Sequence, residues 1–262
     1  MKKLLAVLCM VLVTGTLLVG CGTKDTDKKD TGSKDASGKK WIIATDTVFK
    51  PFEYTNEKNE FVGIDVDLLK AIADDQGIDY KLQSLGWDTA VAAVQAGQAD
   101  GLIAGATIKQ ERVDKGWIFS DGYYNATQTF VVAKDSTITK YEDLKGKNVA
   151  VKNGTAGADF ANSLKAKYGF TVTTFEDSPT MYQDVILGNS VACVEDTPIM
   201  QASIKEGKLA LQIPTGMESE GAPYGFAIMN KKNQELLDKF NAGLKNIKAN
   251  GKYDEILNKY LK

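Results

Sequence analysis

The sequence predicts an α/β protein made of two similar lobes, and three observations carry that expectation. First, strand and helix patterns alternate from residue 41. An apolar run at 41–45 comes first, then a helical period in which Val66, Leu69, Ile72 and Ala73 share a face before Gly77. A strand at 80–83, a helix through Val91 and Val94 to Gly97, and a short buried strand at 100–104 follow. That order argues for a parallel sheet with right-handed crossovers. Second, the pattern recurs: β-rich 127–133, strand 148–152, helix 156–168, strand 172–175, helix 181–187 and strand 191–195. A repeat in kind means two lobes, not one long sheet. Third, 262 residues with 43% apolar and 25% charged side chains suit a soluble chain of one large or two small domains.

The remaining elements fall between these. Residues 46–52 read as a loop and 61–63 as extended. Asp88 is placed to cap the helix after Trp87, and Gly154-Thr155 opens the helix at Ala156. Tyr141 to Leu144 is a short helix, 224–229 a late strand, and 233–250 and 253–260 amphipathic closing helices.

The N-terminus is not part of this fold. Lys2 and Lys3 precede an apolar stretch at 4–19, a secretory signal too short and wrongly flanked for a membrane span. It ends in Leu18-Val19-Gly20-Cys21, which resembles a bacterial lipobox with cleavage before Cys21 and lipid on its thiol; plain secretion with an incidental cysteine is the alternative. Two or more acyl chains on Cys21 would anchor the protein stably. Residues 22–40 hold no large apolar side chain and read as a disordered tether. Removal of Lys2 and Lys3 takes the net charge from −2 to −4. Of the three cysteines, cleavage removes Cys9 and lipid takes Cys21, so no disulfide is expected. Cys193, in an apolar run, reads as a small buried hydrophobe.

Composition excludes several functions. There is no histidine, so a Ser-His-Asp triad, a Cys-His pair and a His-rich zinc site are ruled out. The slightly negative charge gives no footprint for nucleic acid.

Arg112 is the only arginine among 32 basic residues. A lysine-rich chain that keeps one guanidinium has a use for a planar fork of donors that grips a carboxylate bidentately. Before it, Ala104-Gly105-Ala106-Thr107 supplies close backbone approach and a hydroxyl. The competing reading is a surface arginine beside Glu111.

Six runs in order make the sequence specific: Ala44 to Glu53, Val62 to Leu68, Ala104 to Arg112, Phe119 to Tyr124, Ala150 to Thr155, and Glu195-Asp196-Thr197-Pro198. On them, the chain resembles the polar-amino-acid substrate-binding proteins of bacterial ABC importers, solute-binding protein family 3, in particular the glutamine-binding type, across nearly all of 41–261. The resemblance implies a two-lobe, periplasmic-binding-protein-like (type II) fold, each lobe a mostly parallel sheet flanked by helices. Lobe 1 would take 41–122 plus 224–262, and lobe 2 would take 123–223, after a signal at 1–20 and a lipidated tether at 21–40. An amino acid would bind between the lobes, which would close and dock on a permease driven by an ATPase.

An α-amino acid shows a carboxylate and an ammonium, and both need partners once dehydrated. For the carboxylate, the expected partners are Arg112, the Thr107 N–H and hydroxyl, and the N–H groups of Thr155 and Ala156 at a helix N-terminus; ordinary capping by Thr155 is compatible with that role. For the ammonium they are Asp196 and the Gly105 carbonyl, with Ala106 in the same stretch; helix capping is the competing role for Asp196. Phe49 and Trp87 are expected to clamp the ligand side chain, core packing being the alternative. Asp46 and Lys152 offer the acceptor and donor that a neutral amide needs. Glu195 departs from the family's type protein, which has histidine there, and an extra carboxylate could favour a cationic ligand such as arginine. Glutamine ranks first and arginine, or another basic amino acid, second.

The expected protein is a monomeric binder on the extracytoplasmic face, lipid-anchored and of a Gram-positive surface, with no cofactor, no metal and no chemistry of its own. Two other classes compete: a lyase or dehydratase on the same scaffold with Glu195 as general acid, and a receptor ectodomain, which the lack of a later membrane segment argues against.

Overall fold

The structure is a computed structural model that describes residues 39–206 and 209–261. The secretory signal, Cys21 and the tether up to residue 38 lie outside the described residues.

The chain begins with β1 (Trp41–Thr45), then the hairpin β2 (Tyr54–Thr55) and β3 (Phe61–Val62), α1 (Ile64–Gln76), β4 (Tyr80–Ser84), α2 (Trp87–Gln95) and β5 (Gly101–Leu102). Next come α3 (Gln110–Asp114), β6 (Ile118–Phe119), β7 (Tyr124–Ala126), β8 (Gln128–Ala133), β9 (Asn148–Lys152), α4 (Ala156–Tyr168) and β10 (Thr171–Phe175). The series ends with α5 (Ser178–Ile186), β11 (Ala192–Asp196), α6 (Thr197–Lys205), β12 (Leu211–Gln212), β13 (Ala222–Tyr224), β14 (Ala227–Ile228), α7 (Gln234–Ala249) and α8 (Lys252–Leu261).

Two five-stranded sheets share one topology. The first runs β4-β1-β5-β14-β6 and the second β10-β9-β11-β8-β12. In each, one strand opposes the other four: β14 is antiparallel to β5 and β6, and β8 is antiparallel to β11 and β12. Both reversed strands follow directly on the two-stranded ladder β7–β13, where the chain passes between the sheets. Parallel neighbours need long crossovers, whereas a chain arriving from outside the sheet can enter head to tail. The expected α/β class with mostly parallel lobes is therefore what the chain adopts.

Local chemistry explains the elements. β1 is buried at every residue but the half-buried Ile42, because it lies between parallel neighbours in the sheet. α1 and α4 stop at Gly77 and Gly169, whose φ angles of 63° and 73° close the helices in the left-handed region. Asp177 caps α5 by accepting the Thr180 N–H at 2.8 Å, with Pro179 in the first turn.

Three expectations need correction. Asp88 does not cap α2: the helix starts at Trp87, the cap is Gly86, and the Asp88 carboxylate instead accepts from Asn153 at 2.8 Å. Residues 224–229 are not one strand, because Tyr224 ends β13 and β14 begins only at Ala227. At the break, Gly225 is wedged against Ile108 and Phe119, where a Cβ would come within 2.9 Å of the Ile108 side chain. Val66 is only half-buried on α1, whereas Asp65 is fully buried. The short helix expected at Tyr141–Leu144 is present as a 3-10 helix.

Candidate functional site

The C-terminal ends of β1, β5, β9 and β11 face a common gap between the two sheets, the usual place for a ligand on open α/β sheets. Asp46 follows β1, Ala104 to Thr107 follow β5, Lys152 ends β9, and Glu195-Asp196 ends β11. Asp46, Phe49, Trp87, Ala104, Gly105, Thr107, Arg112, Lys152, Thr155, Ala156, Glu195 and Asp196 line one small pocket with a cavity volume of about 20 Å³. Eleven of the twelve residues singled out in the sequence are thus gathered at one place. Ala106 is not on the wall: it is fully buried in the core beside Ala104, and its carbonyl accepts the Gly225 N–H at 3.0 Å. Ala104 takes its place.

Arg112 is buried, not a surface residue of α3. Its guanidinium lies 4.9 Å from the Trp87 ring centroid and 5.0 Å from that of Trp117. Nη1 donates to the Thr107 carbonyl at 2.8 Å and Nη2 to the Gly154 carbonyl at 3.2 Å, so the side chain spans the gap. Burial pushes its pKa down to about 10, with Asp196 acting the other way, so it stays charged at neutral pH.

Asp196 stands at the N-cap of α6 but makes no capping bond. Instead Oδ1 accepts from Gln128 Nε2 at 2.8 Å, and Oδ2 accepts the Tyr224 hydroxyl. Burial and then Glu195 push its pKa up to about 7, against the lowering effect of Tyr224, Gln128 and Arg112. An ammonium placed here would restore the missing positive partner. Thr155 caps α4: its hydroxyl accepts the Ala158 N–H at 3.2 Å and donates to the Lys152 carbonyl at 2.8 Å. Its own N–H and that of Ala156 stay at the helix entry, where anions are favoured.

At the other end of the pocket, Lys152 Nζ lies 2.5 Å from Asp46 Oδ2 and 5.6 Å from the Phe49 ring centroid. Burial alone would depress the Lys152 pKa, but Asp46 and Glu195 outweigh it and the pKa is raised. Glu195 is held by three donors: the Ser178 hydroxyl at 2.6 Å, the Tyr182 hydroxyl at 2.7 Å and the Asp196 N–H at 2.9 Å. Gly105, with φ of 53°, lies so close under Phe49 that an added Cβ would sit 2.5 Å from the ring.

The two sheets are drawn together around this pocket. Lys152–Asp46, Asn153–Asp88, Arg112–Gly154 and Lys109–Asp159 all join residues carried by different sheets. Sequence reasoning missed Trp117, Gln128, Ser178, Tyr182 and Tyr224. Each acts by holding a lining residue, and none belongs to a local pattern that would flag it.

A small enclosed pocket between two like-folded lobes, with a buried cation at one side and a buried carboxylate at the other, defines a solute-binding protein. The comparisons with known proteins agree. Residues 41–262 match the family of bacterial extracellular solute-binding proteins, family 3, and the chain belongs to that family. It is 31% identical to the arginine-binding extracellular protein ArtP of Bacillus subtilis, over 99% of this chain and 98% of that one. It is 33% identical to the ABC transporter glutamine-binding protein GlnH of the same organism, over 100% and 98%. Among solved structures, an ancestral arginine-binding protein bound to arginine is 34% identical, with a TM-score of 0.78, covering 85% of this chain and 98% of that one. The fold is the type II periplasmic-binding-protein fold.

Proposed function

We propose that this protein captures a polar L-amino acid, L-glutamine first, outside the cytoplasm and delivers it to an ABC permease and its ATPase. The observation that carries the choice of ligand is the Lys152–Asp46 pair at 2.5 Å in the pocket. A carboxamide inserted there would accept from the ammonium and donate to the carboxylate. Glu195 already takes three hydrogen bonds from the protein, two on Oε2 and one on Oε1, which leaves little of its acceptor capacity for a cationic side chain.

In this scheme Arg112, Thr107 and the N–H groups of Thr155 and Ala156 take the ligand carboxylate. Asp196 and the Gly105 carbonyl take its ammonium. Phe49 and Trp87 enclose the aliphatic part. Because these groups come from both lobes, the ligand completes its contacts only when the lobes meet, and binding biases the protein toward closure. The lobes divide near 122–123, just before β7, and near 223–224, within β13. The chain acts as a monomer, tethered by lipid on Cys21 to a Gram-positive cell surface. Micromolar affinity requires only about −8 kcal/mol, within reach of two buried charge pairs and an aromatic clamp.

The second reading is a basic amino acid such as arginine. It is favoured by the wall's charge, three carboxylates (Asp46, Glu195, Asp196) against two cations (Arg112, Lys152), and by the arginine binders among the relatives. The lyase or dehydratase alternative needs Glu195 to give up a proton to substrate, and Glu195 is instead surrounded by donors.

Calorimetry of the mature chain against the twenty common amino acids tests the scheme. Tight binding of L-glutamine with weaker binding of L-arginine is expected. The reverse order would transfer the assignment to the second reading, and turnover of any amino acid would overturn both.

A further inference from the structure

Behind the wall formed by Phe49 and Gly105 lie two carboxyl groups that the binding scheme leaves unused. Glu53 and Asp65 are both 0% exposed. Glu53 closes a tight turn onto Phe49: the Phe49 N–H donates to the Glu53 carbonyl at 2.7 Å, and the Glu53 N–H to the Phe49 carbonyl at 3.2 Å. Asp65, in the first turn of α1, accepts on Oδ2 from the Gly105 N–H and the Tyr123 hydroxyl, each at 2.8 Å. Among the described residues, neither Glu53 oxygen nor Asp65 Oδ1 meets a donor.

The Asp65 N–H donates to the Phe52 carbonyl at 2.9 Å, which sets the two buried acids beside one another. As two carboxylates they would both be acceptors, buried and repelling. A single proton between them provides the missing donor and removes one charge. The neighbours decide where it resides. Two donors hold Asp65 as the carboxylate, so Glu53, with none, carries the proton. The charged groups facing the pair are Asp46 and Lys152 on the cleft side, already bonded to each other, while Tyr123 faces it from the start of the crossing strand. Burial pushes both acids upward, Glu53 the further because Asp65 stands beside it.

We propose that Glu53 is a proton-bearing positioning residue: its neutral carboxyl donates to Asp65, and the carboxylate so held fixes the Gly105 peptide and the Tyr123 hydroxyl. The consequence for binding rests on the reading that Gly105 and Phe49 form the ligand's wall. Gly105 is held at φ of 53° with Phe49 packed on it, so the pair sets the position of both. Neither acid touches ligand in this scheme.

Purified full chain, its Glu53→Gln variant and its Glu53→Ala variant test the proposal. The infrared difference spectrum at neutral pH, parent minus Glu53→Gln, should show the carbonyl stretch of a protonated carboxylic acid, over and above the band that Asp196, with its pKa raised to about 7, contributes to both proteins. Melting temperature against pH gives a second readout. The unfolded chain releases the Glu53 proton near its ordinary value of 4.5 while the folded chain keeps it, so the parent loses stability as pH rises above that value. Glutamine at position 53 is always neutral and donates in the same place. Its melting temperature should therefore gain on the parent progressively as pH rises above 4.5. With L-glutamine and L-arginine as probes, Glu53→Gln should hold affinity within about threefold, and Glu53→Ala should lose about tenfold or more. Absence of an acid band from the parent-minus-Glu53→Gln difference, or a Glu53→Gln protein that melts below the parent at every pH, overturns the proposal. If neither amino acid binds the parent, the ligand reading fails while the infrared and melting results still decide the proton on Glu53.

Discussion

The hydroxyl of Tyr224, at the end of β13, donates to Oδ2 of Asp196, at the end of β11. A residue of the connecting ladder thus holds the carboxylate that faces the pocket. The pKa of Asp196 is raised from 3.8 to about 7, by burial first and Glu195 second. In that window the folded chain keeps a proton that the unfolded chain releases. The stability Asp196 contributes is therefore full below about pH 3.8 and is lost as pH rises through about 7. An incoming ammonium needs the carboxylate, so ligand affinity should move the other way and weaken as pH drops below about 7. Asp196→Asn should raise the melting temperature of the ligand-free protein near neutral pH and cost about 2–5 kcal/mol of amino-acid binding. Melting curves against pH and calorimetry check both arms.

Arg112 cannot be replaced by lysine without loss. One ammonium cannot bond the Thr107 and Gly154 carbonyls, lie between Trp87 and Trp117 and still meet a ligand carboxylate. Arg112→Ala should cost roughly 2–5 kcal/mol of binding, and Arg112→Lys should fall between it and the parent. Unchanged affinity by calorimetry in Arg112→Ala would remove the residue from the site.

Lys152 should govern selectivity. Lys152→Met leaves Asp46 and Glu195 without their nearby cation. The ratio of arginine affinity to glutamine affinity should then rise by about tenfold or more. Competition between the two amino acids in equilibrium dialysis measures the ratio directly, and a fall in it would contradict the role given to the pair.

Gly105→Ala should damage both fold and site. An alanine at φ of 53° is strained, and its Cβ would lie 2.5 Å from the Phe49 ring. The expected loss is about 1–3 kcal/mol of stability, read from denaturant midpoints, with weaker amino-acid binding because the ring must shift.

The sequence made most of the frame legible because its long elements carry strong periods. The strand at 148–152 and the helix at 156–168 coincide with β9 and α4. Strands of two residues, such as β6 and β12, are too short to show alternation, and 224–229 reads as one strand because nothing local marks the change of sheet. The pocket was legible where motif and strand end coincide, at Thr107, Lys152 and Glu195-Asp196. Asp65 was missed although its position four before Leu69 and seven before Ile72 puts it on the apolar face of α1. Glu53 has no such signal, since it lies in a turn and its burial comes from tertiary packing alone.

The ladder between β7 and β13 pairs Ala126 with Ala222, Asn125 with Pro223 and Tyr124 with Tyr224. Outbound and returning chain are therefore zipped rung by rung, so neither can lengthen by one residue without slipping against the other. Any chimaera that grafts the middle portion of a relative into this chain must transplant both rails together. The same rule should make insertions in the two segments co-vary across the family.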